Sequence, residues 1–242
     1  SKTIVAGAGL QYEPVNIPDA RFNAFVNRAG QPGWFPGPGD LSKLPVGEQV
    51  FADVDYRLSD FSTSPVPTVF MLKGSGSEVE DTEIRGIETR GAADAIFFLH
   101  TFNPSGSIDG WQRQYKEAAR RGRKLPKPPT VFQYVIHYAD GGQAVVPIVW
   151  QTGVGSWRSN APAALPEAAI AWTAPLSGDE QAVVYSMQWN NSRPDVAIES
   201  IDIVTSPDGP KWGAPAVLAI TTAKSISSAN PPAPNKIRRK TQ

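Results

Sequence analysis

Apolar residues occur along this chain in short runs that are rich in Val, Ile, Phe and Tyr and are separated by Pro, Gly, Asn or Asp. Such runs, bounded by turn residues, predict β-strands. About twelve strands are predicted, at Ile4–Gly7, Tyr12–Ile17, Gln49–Leu58, Thr68–Leu72, Glu83–Glu88, Ala95–Thr101, Val131–Tyr138, Gln143–Trp150, Ala168–Trp172, Ala182–Trp189, Ala197–Val204 and Ala216–Thr221. This pattern indicates an all-β sandwich or barrel rather than a βαβ fold.

Three of the apolar runs also predict how their strands are buried. Ile96–Leu99 is apolar at every position, which is typical of a central strand covered on both faces. Large apolar residues alternate through Val183–Trp189, so this strand is predicted to bury one face. In Ile198–Ile203 the alternation slips by one residue, and a β-bulge near Glu199–Ser200 would restore it.

The strongest local prediction is a β-hairpin. Asp140–Gly142 separates the predicted strands Val131–Tyr138 and Gln143–Trp150. An Asp-Gly pair supplies the positive φ angles that a tight turn between antiparallel strands requires. We therefore expect these two strands to be neighbours in one sheet.

One helix is predicted within the β pattern, over about residues 109–122. Asp109 is a candidate N-cap with Gln112 three residues later, and Gly122 is a candidate stop. Between them, one apolar stripe is formed by Trp111, Tyr115, Ala118 and Ala119. Trp111–Lys127 holds seven basic residues and one acidic residue, a local net charge of +6. Three interpretations stay open for these charges: a solvated face, an anionic glycan or protein partner, or nucleic acid, in decreasing order of preference.

Composition excludes several classes of protein. The 23 basic residues balance 23 acidic residues, which argues against a uniformly basic nucleic-acid-binding protein. The chain has no Cys, so it holds no disulfide framework, Cys-ligated metal or Cys nucleophile. Two His leave little room for a His-rich metal site. No apolar run is long enough to span a membrane, and we expect any signal peptide to have been removed before Ser1.

Motifs for catalysis are scarce. The chain has no nucleophile elbow, P-loop, zinc-protease motif or dinucleotide fingerprint. Four residues remain as candidates for acid–base chemistry. Asp53 and Asp55 are predicted to share one strand face. His100 and His137 lie in apolar strands, and a catalytic role would pair one of them with a carboxylate such as Asp94 or Asp140. Solvated carboxylates and hydrogen-bonded histidines inside the sheet are the favoured interpretations.

Three tryptophans stand in Gly- and Pro-rich loops. Trp34 lies between Gly33 and a Pro-Gly repeat, Trp157 precedes Arg158, and Trp212 follows a Pro-Lys pair. An exposed indole on a rigid loop offers a flat face to the C–H side of a sugar ring, and nearby polar groups hydrogen-bond hydroxyls. We take Trp34, Trp157, Arg158 and Trp212 as candidate ligand-binding residues, against the alternative that each Trp anchors its loop to the core.

Several segments together resemble one family, the galactose-binding-like β-sandwich modules of bacterial polysaccharide-degrading proteins. The resemblance spans about Tyr12 to Thr222 and is carried by Asp40–Leu41, Leu44–Gly47, Phe51–Val54, Ala93–Thr101, Tyr134–Gly141, Trp189–Pro194 and Ile198–Asp202. It implies a jelly-roll sandwich, a carbohydrate site in loops at one end or face, and a structural calcium ion. It assigns no binding residue of this chain, and the basic helix lies outside its pattern.

The leading hypothesis is a single β-sandwich domain over residues 1–224 with a Pro-rich basic tail or linker over 225–242. Its function would be to bind a polysaccharide or oligosaccharide without catalysis, as a secreted or surface-located accessory module tethered to a catalytic domain. A carbohydrate-active hydrolase or lyase is the first alternative, with Asp53, Asp55, His100 or His137 at its centre. A structural or protein-interaction sandwich that docks through the basic helix is the second.

Overall fold

The fold is built almost entirely from antiparallel strands. The computed structural model of the chain describes residues 6–7, 9–24, 41, 43–59 and 67–226. In chain order, these residues form β1 (Leu10–Pro14), β2 (Gly47–Phe51), β3 (Val54–Leu58), β4 (Phe70–Met71), β5 (Glu83–Glu88), β6 (Ala95–Pro104), α1 (Gly106–Arg120), β7 (Thr130–Tyr138), β8 (Gln143–Val149), β9 (Arg158–Ser159), β10 (Ala168–Pro175), β11 (Gln181–Asn190), β12 (Ile198–Thr205), α2 (Gly209–Trp212) and β13 (Gly213–Ser225). The predicted all-β class is confirmed.

The strands form three layers. A seven-stranded sheet has the order β1-β13-β6-β11-β10, with β4 added to β13 and β9 added to β11. A four-stranded sheet has the order β5-β12-β7-β8, and β2 pairs with β3 as a separate hairpin. Neighbouring strands are antiparallel throughout these pairings.

Two hydrophobic cores lie on opposite faces of the seven-stranded sheet. Ile96 and Phe98 of β6 face the four-stranded sheet, where the ring of Phe98 stacks on Tyr134 at 3.8 Å between centroids. Phe97 and Leu99 belong to the second core, which the β2–β3 hairpin covers. The prediction that Ile96–Leu99 is covered on both faces is thus confirmed, and the molecule is a β-sandwich with an additional layer.

Two local predictions agree with the observed register. β7 and β8 form the predicted hairpin, with Gly141 at φ 83°. The pairing of β12 with β7 shifts between Ile198 and Ser200, at the predicted bulge. Both features could be predicted from the sequence because the turn and the bulge depend on adjacent residues.

The predicted single strand Gln49–Leu58 is wrong. The segment is the β2–β3 hairpin, and its turn residues Ala52 and Asp53 have φ angles of 50° and 62°. Asp adopts this left-handed region more readily than most residues, but Ala does not, so no sequence signal marks the turn. Packing of the hairpin on the second core, through Val54 and Tyr56, accounts for the reversal.

The predicted boundaries of the helix are also wrong at its start. α1 begins at Gly106, and its N-cap is Ser105, whose hydroxyl oxygen accepts a hydrogen bond from the Ser107 N–H at 3.1 Å. Asp109 therefore lies in the first turn rather than at the cap. At the other end Gly122 has φ 60°, and the prediction that it stops the helix is confirmed.

Parts of the predicted organisation lie outside the described residues. Most of the predicted strand Ile4–Gly7 does so, as does the predicted tail beyond residue 226. Among the helices of the described residues, none has the length and apolar character needed to cross a bilayer.

Candidate functional site

A small polar pocket lies at one end of the sandwich, where α1 meets β9 and the chain that follows β8. Its volume is about 330 Å³. Asp109 and Gln112 of α1 line one side, and Arg158 of β9 lines another. Because a carboxylate, an amide and a guanidinium provide both donors and acceptors, the pocket suits a ligand with several hydroxyl groups.

Aromatic side chains and a strained residue complete the lining. Trp150 is 1% exposed, and its indole N–H has no hydrogen-bond partner among the described residues. The next residue, Gln151, has φ 59° and also lines the pocket. A buried unpaired donor is costly and a left-handed Gln is uncommon, so both features mark this turn as a candidate ligand site.

The turn that carries Trp150 and Gln151 is held from inside the core by His100. The Nε2–H of His100 donates to the carbonyl oxygen of Gly153 at 2.8 Å, and its Nδ1 accepts from the Tyr134 hydroxyl at 2.8 Å. Burial lowers the pKa of His100 to about 4, so the ring is neutral at pH 7. His100 is therefore a positioning residue for the pocket wall.

Tyr185 of β11 reaches the pocket past Gly155. A Cβ on Gly155 would lie 2.5 Å from the Tyr185 hydroxyl oxygen, so only glycine allows this approach of ring and backbone. Burial raises the pKa of Tyr185 to about 12, which keeps its phenol protonated as a hydrogen-bond donor. The phenol donates to the Ser156 carbonyl oxygen at 3.5 Å, so Tyr185 helps to hold the pocket lining in place.

The candidate residues Trp157 and Arg158 occupy different environments. Arg158 lines the pocket, and its Nε lies 3.9 Å from a carboxylate oxygen of Glu180. Trp157 is 2% exposed, packs in the second core, and donates from its indole N–H to the Asn103 side-chain oxygen at 3.1 Å. The Arg158 guanidinium lies over the Trp157 ring at 5.6 Å, so Trp157 supports Arg158 from beneath.

Trp212 is not among the described residues that line the pocket. Trp212 ends α2, packs partly buried against the first core, and has the Lys211 ammonium 4.8 Å from its ring centroid. Trp34 lies outside the described residues. Of the four candidate residues, the structure thus brings Arg158 to the pocket and places Trp157 directly behind it.

The four candidates for acid–base chemistry lie in different layers. Asp53 and Asp55 are exposed on the β2–β3 hairpin, and His100 is buried between the two large sheets. His137 lies on the outer face of the four-stranded sheet, where its Nε2–H donates to Asp202 at 2.8 Å rather than to the expected Asp94 or Asp140. These side chains do not converge, and Asp109 is the one carboxylate among the described residues that line the pocket.

A second concave region is larger and has mixed charge. A cleft of about 700 Å³ runs between β1, β3 and β5, and its charged lining comes from Glu13, Arg21, Arg57, Glu88 and Arg90. Two of these arginines are already engaged: Arg57 pairs with Glu48 at 3.1 Å, and Arg21 donates to the Arg85 carbonyl oxygen. None of the described residues that line this cleft has a buried polar atom without a hydrogen-bond partner, so the cleft lacks the feature that distinguishes the smaller pocket.

The calcium ion implied by the family resemblance was tested against the donor groups present. In the part of the chain that the structure describes, no three His, Cys, Asp or Glu side chains are grouped so that they could hold a metal ion. The described residues therefore do not fit a carboxylate-ligated calcium site.

The pocket depends on residues that sequence reasoning assigned to other roles. Trp150 ends a predicted core strand, and Asp109 and Gln112 are predicted helix-cap residues. Only the left-handed φ of Gln151 and the unpaired indole reveal the site, and neither is encoded in a local motif. No protein-family model matches the chain, and a search of curated proteins returns no match either.

Proposed function

We propose that this protein binds a carbohydrate without catalysis, with one saccharide unit in the pocket between α1 and β9. The observation that carries the proposal is the mixed polar lining from Asp109, Gln112 and Arg158, beside Trp150, a lining residue whose buried indole N–H has no hydrogen-bond partner among the described residues. Hydroxyl groups are both donors and acceptors, so they satisfy this mixed set of groups.

Binding is favoured over hydrolysis by the number of carboxylates. Glycoside hydrolases in general use two carboxyl groups on either side of the scissile bond. The described lining residues provide Asp109 alone. The hydrolase alternative therefore lacks a second carboxyl group among the described lining residues of this pocket, whereas a binding site needs none.

The wider setting of the protein is part of the same proposal. The resemblance to galactose-binding-like modules supports a jelly-roll form of the sandwich and a secreted or surface-located accessory role beside a polysaccharide-degrading domain. The sequence of the full-length gene product and fractionation of the producing cells test this setting. A full-length product without any carbohydrate-active domain would contradict it.

Two glutamines on the same helix provide a matched test of the pocket. Gln112 lines the pocket, whereas Gln114 is exposed about 160° away around the helix. We expect Gln112→Ala to weaken polysaccharide binding about fivefold through loss of a hydrogen bond, and Gln114→Ala to leave it unchanged. Affinity gel electrophoresis against a panel of neutral and acidic polysaccharides measures both.

Asp109→Asn and Arg158→Ala extend this test to the charged groups of the pocket, and we expect each to weaken binding about tenfold or more because hydrogen bonds to charged groups are stronger. If the wild-type protein binds none of the polysaccharides, or if both glutamine variants bind equally well, the proposal is wrong.

A further inference from the structure

The side of α1 that lines the pocket continues along the helix as a row of cations. With about 100° per residue, Asp109, Gln112, Arg113, Lys116 and Arg120 fall within an arc of about 100°. The apolar positions Ile108, Trp111 and Tyr115 lie on another side of the helix, so they do not interrupt this row. We call Arg113, Lys116 and Arg120 the cationic row. Together with the pocket residues Asp109 and Gln112, the cationic row follows the helix axis for about 16 Å.

The cationic row is exposed and largely available to a ligand. Ile108 is the one buried residue of α1, and Arg113, Lys116 and Arg120 are all exposed. Among the described residues, Arg113 and Lys116 have no acidic partner, while Arg120 pairs with Glu117 at 2.8 Å. Within the described part of the chain, two of the three cations are therefore not neutralised.

The charge of this region contrasts with that of the remaining chain. Trp111–Lys127 has a net charge of +6, whereas in the rest of the described chain acidic side chains outnumber basic ones by ten. A polyanion is therefore attracted to α1 and repelled by much of the remaining surface. This difference directs a charged ligand towards the end of the sandwich that holds the pocket.

We propose that the ligand is an acidic polysaccharide, bound with one unit in the pocket and its neighbouring units along the cationic row. This inference rests on the proposed function, because the pocket is where the sugar chain is anchored. Asp109 disfavours a carboxylate or sulfate inside the pocket, so the anchored unit presents hydroxyl groups there. The anionic groups of the following units lie over Arg113, Lys116 and Arg120.

The chain offers a matched pair of triple variants to test the inference. Arg113→Gln, Lys116→Gln and Arg120→Gln together remove the cationic row. Arg121→Gln, Arg123→Gln and Lys124→Gln remove the same charge from the same region, but Arg121 lies about 120° from Asp109 around the helix, and Arg123 and Lys124 follow its end. Far-UV circular dichroism and thermal unfolding check that both proteins fold as the wild type does.

The probes are polygalacturonate as an acidic polysaccharide and a neutral galactan. A DNA duplex is the third probe, as a polyanion that does not present the hydroxyl groups of a polysaccharide. We expect the wild type to bind polygalacturonate more tightly than galactan, with at least about tenfold weakening between 50 and 300 mM NaCl. Loss of the cationic row should weaken polygalacturonate binding at least about tenfold and leave galactan binding unchanged. The control triple variant should retain most of the wild-type affinity.

Four results would overturn the inference. Equal affinity for galactan and polygalacturonate at low salt means that the row does not contribute, although the proposed function then stands. Equal losses in the two triple variants, or DNA binding as tight as polygalacturonate binding, indicate a non-specific response to charge. If no polysaccharide binds at all, the proposed function fails and the inference fails with it.

Discussion

β6 and α1 are consecutive in the chain, yet they relate to the core in opposite ways. The first eight residues of β6 are buried, whereas α1 buries Ile108 alone. Burial of apolar surface supplies most of the stability of a fold, so β6 is under strong packing constraints and α1 beyond its first turns is not. The exposed part of α1 is therefore free to carry charge that a packed strand could not hold.

The largest expected effect lies in β6. Phe98→Ala removes a fully buried ring that stacks on Tyr134, and we expect it to lower the free energy of unfolding by about 3–5 kcal/mol. Tyr115→Ala in α1 removes a ring that is 37% exposed and should cost less than about 1 kcal/mol. Urea denaturation of both variants measures the difference. Similar losses would mean that α1 contributes to the core as β6 does.

A second comparison uses two glycines that both have positive φ. A Cβ on Gly213, which pairs with β6, would lie 2.0 Å from the Asn103 carbonyl oxygen, while nothing lies within 4 Å of a Cβ on Gly122. We expect Gly122→Ala to cost about 1–2 kcal/mol through backbone strain alone. Gly213→Ala should cost more than about 3 kcal/mol, since strain and a backbone clash add. Thermal unfolding of the two glycine variants measures this difference in stability. Equal melting temperatures would contradict the expected backbone clash at Gly213.

The third expected effect is a pH dependence of the free energy of unfolding, which originates in His100 of β6. Because the pKa of His100 is lowered to about 4 in the folded state, the unfolded chain binds a proton first as pH falls below its ordinary value near 6.5. The contribution of His100 to stability is complete above that value and is lost towards pH 4. We expect a loss of about 2 kcal/mol between pH 7.5 and pH 5.

Denaturation as a function of pH measures this loss, and His100→Gln is the control. That variant should be less stable at every pH but should lack this part of the pH dependence. An unchanged slope in His100→Gln would assign the effect to other groups. Because His100 also holds the turn at Gly153, polysaccharide binding should weaken in the variant as well.

The smallest effect concerns the start of α1. Ser105→Ala removes the N-cap hydrogen bond to Ser107 and should cost about 1 kcal/mol. Asp109→Ala should change stability by less than about 0.5 kcal/mol, because Asp109 lies in the first turn and does not cap the helix. Urea denaturation measures the stability of both variants. A larger loss of stability in Asp109→Ala than in Ser105→Ala would support Asp109 as the N-cap, as the sequence predicts.

Much of the fold was predictable because its signals are local. The Asp140–Gly142 turn and the slip near Glu199–Ser200 each depend on neighbouring residues, and each has its counterpart in the β7–β8 turn and the β12 bulge. The prediction that Val183–Trp189 buries one face is wrong, because β11 lies between the two cores and is buried on both faces. The reversal at Ala52 and Asp53 was missed because it depends on packing rather than on turn residues.

The candidate site was only partly predictable, for the same reason. Arg158 was among the expected residues, since a basic residue beside a loop tryptophan is visible in the sequence. The unpaired indole of Trp150 and the close approach of Tyr185 to Gly155 were not, because they arise between segments that are distant along the chain.

The sequence by itself determined the β-rich class, most strand positions, the double-sided burial of Ile96–Leu99 and the concentration of positive charge after Trp111. Only the tertiary structure decided that the chain forms three layers, that Trp157 is buried beneath Arg158, and that residues of α1 line a pocket. The physical reason is the range of the interactions: periodicity and turn chemistry act between neighbours, whereas a pocket is formed by side chains from strands and loops that only long-range packing brings together.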